Sequence, residues 1–237
     1  MLTQEQLASR LTKAVRHFWR TRGAQARKQV ASGRSDQGSR GSVTGGKQMD
    51  GFLALICKLI CDVGVTEDCI HTNSRVELPG YFRAEKKWDL LVVKDDQLLV
   101  ALEAKSQSGS FGNNFNNRTE EAMGSALDVW TAYREGAFNS KLRPWLGYIF
   151  LLEDCPRSRK PVRVYEPHFS VFPEFVDASY AIRYELFCRK LVRERHYDQA
   201  ALLLSPKGRR GEYSEPADDL TLYAFARGLT AHVAACV

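Results

Sequence analysis

Asp89, Glu103 and Lys105 have the types and spacing that hydrolysis of a phosphodiester requires. That reaction needs an activated water, relief of charge at the phosphate and a stabilised leaving oxygen. A divalent metal held by carboxylates can serve all three. Hard Mg²⁺ takes oxygen ligands and keeps several of its waters, so two carboxylates and one backbone carbonyl suffice. A neighbouring lysine can orient or help deprotonate the attacking water, and it offsets phosphate charge. Glu103 and Lys105 are two apart, so in a strand they share a face, with the Ala104 carbonyl between them. Asp89 and Glu103 with the Ala104 carbonyl are the candidate Mg²⁺ ligands. The competing reading is a strand-terminal Glu–Lys pair that only solvates the end of a sheet. A second acid–lysine match, Glu85-Lys86-Lys87, lies in a polar stretch and reads as a decoy.

The elements that must position these groups are strands. The apolar runs Trp88 to Val93 and Leu98 to Leu102 flank Lys94-Asp95-Asp96-Gln97, a β-hairpin pattern. Its register decides whether the site exists. A three-residue Asp95-Asp96-Gln97 loop places Asp89 opposite Glu103. A tight Asp95-Asp96 turn places Asp89 opposite Leu102 and turns Glu103 away. The site therefore requires the longer loop or a bulge.

Around this hairpin, Leu7, Leu11, Val15 and Phe18 predict an amphipathic helix with a basic outer face, and Phe52, Ile56, Leu59 and Val63 a buried one. Asn117 and Glu120 read as the capping box of a helix whose inner side is Ala122, Ala126, Val129, Trp130 and Tyr133. Trp145 to Leu152 predicts a third buried strand. Tyr180, Tyr184, Phe187 and Leu191 predict another helix, and residues 217–234 a last one. Helices before, between and after buried strands make the fold class α/β, a mixed central β-sheet flanked by helices. The 237 residues fit a single domain: a helical part over 1–70 with a Gly-rich loop at 31–47, a catalytic core over 71–152, and a mainly helical part over 153–237.

Composition narrows the classes. Hydrophobic residues are 44% and charged residues 26%, and no apolar run is long enough to span a membrane or act as a signal peptide, so a cytoplasmic location is expected. Six cysteines form no CxxC and no zinc spacing, and five scattered histidines suggest neither a histidine–metal nuclease nor a Ser-His-Asp hydrolase. No phosphate-binding glycine loop indicates nucleotide hydrolysis. The net charge of +6 permits polyanion binding without demanding it. Basic clusters lie at Arg10–Lys28, Arg157–Arg163 and Lys207–Arg210, and each taken singly reads as a solvated face.

Two segments could read bases. Residues 109–118 read as a loop holding Asn113, Asn114, Asn116, Asn117 and Arg118. Asparagine can pair with adenine and arginine with guanine in the major groove, although asparagine is also a common turn former. The Gly/Ser-rich 31–47 segment is either a linker or a DNA-facing loop, with Arg40, Lys47 and Gln48 as further candidate contacts.

At these residues the chain resembles a known family. The block from Trp88 to Phe138, with Asp36–Phe52 and Ser179–Ser205, is similar to the XhoI family of type II restriction endonucleases. The resemblance implies a restriction-endonuclease-like PD-(D/E)xK core, Mg²⁺ dependence and a homodimer. It implies hydrolysis of double-stranded DNA at the palindrome CTCGAG by a metal-activated water, leaving 5′-phosphates. A companion DNA methyltransferase in the same system, not bound directly, is implied too. Asp89 matches the motif aspartate, Glu103 the acidic position and Lys105 the lysine. Trp88 stands where the motif usually has proline. Two alternatives remain: a structure-selective repair or recombination nuclease with the same core, and a DNA binder without catalysis.

Overall fold

A computed structural model describes residues 3–31, 47–138 and 142–237, with side chains 29–31 left aside. The Gly-rich expectation at 32–46, Arg40 included, lies outside the described residues. A five-stranded sheet runs in the order β1 (Ile70–His71), β4 (Leu90–Lys94), β5 (Gln97–Gln107), β6 (Trp145–Glu153) and β7 (Gln199–Ser205). Its β1, β4 and β5 are antiparallel, and β5, β6 and β7 are parallel. A separate hairpin pairs β2 (Glu77–Pro79) with β3 (Glu85–Lys87). The apolar run of β7 lies inside the stretch read as mainly helical. Buried on both faces, it lacks the alternation that marks a half-exposed strand.

Helices cover both faces. One core joins α1 (Gln4–Ala31), α2 (Asp50–Cys61) and α6 (Leu222–Cys236) to Leu90, Val92, Leu102 and Ala104. The other joins α3 (Phe111–Arg134) and α5 (Tyr180–Arg193) to Leu91, Ala101, Tyr148 and Phe150. The short α4 (Pro156–Arg159) follows β6. The helical spacing on α1 does bury Leu7, Leu11, Val15 and Phe18. Both parallel crossovers, through α3 and through α5, lie on one face, as right-handed connections between successive neighbours require. The result is the mixed α/β sheet of a restriction-endonuclease-like fold. Among the described residues no helix is long and apolar enough to cross a membrane.

The hairpin combines both routes weighed from the sequence. The turn is tight: Lys94 pairs with Gln97, and Asp95 and Asp96 take left-handed φ values of 50° and 58°. A bulge follows, because Val93 pairs with Leu98 but Val92 with Val100. The extra Leu99 shifts the register by one, so Leu90 meets Leu102 and the next pair outward is Asp89 with Glu103. The Leu99 carbonyl accepts from the His232 ring at 3.2 Å.

Two consecutive left-handed residues favour glycine at the second position, since Asp carries a Cβ penalty there. Asp96→Gly should raise the unfolding free energy by about 0.5–1 kcal/mol, and Asp96→Val should lower it by about 1–2 kcal/mol. Urea melts of the two variants beside the parent check this; equal midpoints would show that the turn carries no strain.

Candidate active site

The bulge places the three residues at the carboxyl end of β5. Asp89 sits just before β4, where its N–H donates to the Leu102 carbonyl at 3.1 Å. Its Oδ2 accepts from Ala104 N at 2.8 Å and from Lys105 Nζ at 3.3 Å. Lys105 Nζ also lies 3.4 Å from Glu103 Oε1, bridging the two carboxylates. A strand residue sends its N–H and C=O to the same side. Because the Ala104 N–H faces Asp89, its carbonyl faces the same open edge beyond β4.

Glu103 is 3% exposed and fully engaged. Lys86 Nζ lies 2.7 Å from Oε1, and the Tyr197 hydroxyl donates to Oε2 at 2.6 Å. Burial alone would raise the Glu103 carboxyl, but Lys105, Lys86 and Tyr197 hold it down, at about 2. Lys105 loses hydration yet gains two carboxylates, and the balance raises it, so it is a firm cation. Lys86 has one carboxylate and a drier setting, and burial pushes it down. The ammonium of Lys86 also stands 3.9 Å from the centroid of the buried Trp88 ring.

Lys86 corrects the sequence reading. The polar stretch 85–87 is no decoy, since β3 carries Lys86 into the site. Its hairpin is pinned by buried Asp128 of α3, whose Oδ1 accepts the N–H groups of Tyr81 and Phe82 at 2.7 and 2.9 Å. Gly80 permits that approach, because a Cβ there would lie 2.7 Å from Asp128 Oδ2. Tyr197 was also missed. It precedes β7 with no motif around it, and only the packing of α5 and β7 brings it to Glu103.

A cleft of about 170 Å³ opens beside these groups, lined by Asp89, Ala104 and Lys105 with Arg22, Gln48, Asn114 and Arg118. The predicted loop 109–118 is instead the first two turns of α3. Its N-cap is Ser110, in a left-handed conformation, and not Asn117, so the Asn117–Glu120 capping box does not form. Aromatic packing overrides the loop-like composition. Phe111 stacks on Tyr180 at 5.8 Å, and Phe115, one turn later, meets Tyr184 at 5.0 Å. That burial fixes where each asparagine goes. Asn114 and Arg118 share a face and line the cleft, Asn113 and Asn117 are exposed on the adjoining face, and Asn116 is exposed on another. Gln48 is 7% exposed, and its Oε1, like Arg118 Nε, is buried without a hydrogen-bond partner. Two orphaned polar atoms lining one cleft mark a place for a polar ligand. Lys47 is exposed and does not line the cleft. Arg22, not anticipated from the sequence, reaches Ser108 from α1.

Among the described residues no three His, Cys, Asp or Glu side chains converge as a metal cluster. An ion here would rest on Asp89, Glu103 and the Ala104 carbonyl. These are hard oxygen donors, and they fit Mg²⁺, which keeps much of its water.

A carboxyl depressed on folding stabilises the fold above its unfolded value of 4.5, and that stability is lost as pH falls toward about 2. Tyr197→Phe should lower stability at neutral pH by about 1.5–3 kcal/mol, the worth of a hydrogen bond to a charged group. It should also shrink the stability lost between pH 5 and pH 2.5, because Glu103 would then be less depressed. Urea melts across that range check both; an unchanged pH dependence would show that the hydroxyl does not act on Glu103.

Comparison with known proteins bears on the whole chain. The family model for restriction endonuclease XhoI matches residues 28–215. The chain is 58% identical over 212 residues to the type II restriction enzyme BstVI of Geobacillus stearothermophilus, covering 86% of this chain and 94% of that one. It is 48% identical over 176 residues to the type II restriction enzyme XhoI of Xanthomonas vasicola, covering 73% and 71%. It is 50% identical over 159 residues to the type II restriction enzyme AbrI of Azospirillum brasilense, covering 66% and 71%. No solved structure matches. With most of the chain inside the family model and relatives this similar, the protein belongs to the XhoI family of type II restriction endonucleases, deoxyribonucleases that act on double-stranded DNA.

Proposed function

We propose that the chain works as a Mg²⁺-dependent homodimer that cuts both strands of the palindrome CTCGAG and leaves 5′-phosphates. Asp89, Glu103 and Lys105 act at the bond, and Asn114, Arg118 and Gln48 act at the bases or phosphates beside it. One observation carries this reading: Asp89, Ala104 and Lys105 share a cleft with orphaned atoms of Gln48 and Arg118. Asp89, Glu103 and the Ala104 carbonyl would hold the ion, which when bound supplies water activation and charge relief at the phosphate. The chain's own contribution is positional. Asp89 and Glu103 hold the Lys105 ammonium at the cleft, where it offsets phosphate charge and orients water. Lys86 and Tyr197 keep Glu103 ionised although it is buried. The two-fold symmetry of the dimer would present the same α3 turn to each half of a palindrome. The site CTCGAG and the companion methyltransferase follow from the family resemblance.

Plasmid carrying a single CTCGAG should be cut to one linear product in Mg²⁺ and stay uncut in Ca²⁺ or excess chelator. Asp89→Ala and Glu103→Ala should abolish cutting while still binding the site in Ca²⁺. Lys105→Ala should slow cutting by about 10²–10⁴-fold. Full activity of Glu103→Ala, or cutting in chelator, would sink the mechanism.

Base reading is expected at Asn114, Arg118 or Gln48. Alanine at a base-reading position should cost about 1–3 kcal/mol of discrimination between CTCGAG and its single-base variants. Asn116→Ala should discriminate like the parent. Binding titrations in Ca²⁺ test this, and three cleft variants that all discriminate normally would move recognition elsewhere, including to Asn113, Asn117, Arg40 or Lys47.

A further inference from the structure

A second groove, about 560 Å³, lies between α1 and the loop that follows β7. Arg16, Arg20 and Arg27 line it from α1, and Lys207 and Arg209 from the loop. No acidic side chain lines it, and Arg20, Arg27, Lys207 and Arg209 form no ion pair among the described residues. The acid on the loop, Glu212, faces Arg210 instead, at 3.9 Å.

The walls are fixed before any ligand arrives. The Trp19 indole donates to Ser205 Oγ at 2.8 Å, and that hydroxyl donates to the Glu212 carbonyl at 2.6 Å. Arg16 Nη2 donates to the Arg210 carbonyl at 3.1 Å. Gly211, at φ +78°, lets the loop press on α1, since a Cβ there would stand 2.3 Å from the Thr12 carbonyl. The Leu204–Ser214 bridge closes the loop at its base. Like charges are thus held together by neutral contacts. Such a site is costly when empty and gains when an extended anion fills it.

Spacing says what kind of anion. Arg16, Arg20 and Arg27 lie on one stripe of α1, with Gly23 between them lowering the floor. Eleven residues at 1.5 Å each span about 16 Å. At 3.4 Å of axis per charge on one strand, that matches on the order of five consecutive phosphates. The stripe adjoins the cleavage cleft: Trp19 lines the groove, and Arg22, three residues on, lines the cleft.

We propose that this groove is a second anion site, which takes the phosphodiester backbone of duplex flanking the cut sequence. This rests on the endonuclease reading and adds to it a footprint longer than the recognition sequence. The test variant is R20Q/R27Q/K207Q/R209Q, four exposed positions outside the cleavage cleft. Affinity is measured in Ca²⁺ against salt, with duplexes of about 10 and about 30 base pairs centred on CTCGAG, and with both lengths scrambled at the six central positions. On the long duplexes, specific and scrambled alike, the slope of log affinity against log salt should fall by about 3–4, near 0.9 per lost phosphate contact. On the short duplexes parent and variant should agree. The charge-keeping pair R20K/R27K should behave as the parent on all four, since a phosphate needs a point charge and not a fork. Equal slopes on long duplex, or equal losses on short and long, would overturn the proposal. If the parent does not prefer CTCGAG but the flank-dependent loss persists on scrambled duplex, the recognition sequence is wrong and the groove stands.

Discussion

The arrangement depends on one residue of register. Side chains in a strand alternate with a period of two, so slipping β5 against β4 by one position moves Glu103 and Lys105 to the opposite face. The tight Asp95-Asp96 turn by itself imposes the wrong register, and the bulge at Leu99 restores the right one. The hairpin thus obeys two local demands at different places: turn sterics at Asp95 and Asp96, and face alternation at Glu103. The bulge would leave a carbonyl without a ladder partner, and His232 of α6 takes it up. A helix at the far end of the sequence therefore completes the feature that positions the site.

Burying Glu103 sets the second constraint. A carboxylate deprived of water is strongly destabilising unless it is paired and hydrogen-bonded. Two ammonium groups and a phenol surround it, and each comes from a different element. β3 supplies Lys86, β5 supplies Lys105, and the segment before β7 supplies Tyr197. Closing that shell requires the β2–β3 hairpin to dock, which in turn requires Asp128 on α3. The Trp88 ring fits the same logic: where the motif usually has a proline, an aromatic face receives the ammonium of Lys86.

How much was legible from the sequence follows from range. Asp89, Glu103 and Lys105 could be found because their geometry is local, a hairpin and an i, i+2 pair. The buried helices and β6 showed through their periodicity and length. Lys86 was set aside because a short polar strand leaves no hydrophobic pattern, and its value arises only from where β3 docks. The asparagines of α3 read as a loop because Asn and Gly favour turns. Phe111 and Phe115, four apart, held the contrary signal, but their partners Tyr180 and Tyr184 lie some seventy residues away in sequence. β7 was missed because a short, wholly apolar run has no period to detect.

The parallel half of the sheet explains why scattered basic clusters need not be independent solvated faces. Strands β5, β6 and β7 run the same way, so their carboxyl ends, at Gln107, Glu153 and Ser205, share one edge. The chain leaves that edge three times: into the first turn of α3, into the basic stretch 157–163 and into the basic loop 207–210. Helix α1 lies across the end of β7 through Trp19 and Ser205, and adds Arg16, Arg20, Arg22 and Arg27 to the same end. Each cluster read singly is unremarkable at a net charge of +6. Gathered by topology, they put the positive charge where the strands also deliver Asp89, Glu103 and Lys105. Such a field draws in a polyanion and lays it along the edge, and the two carboxylates there are local exceptions that Lys105 bridges.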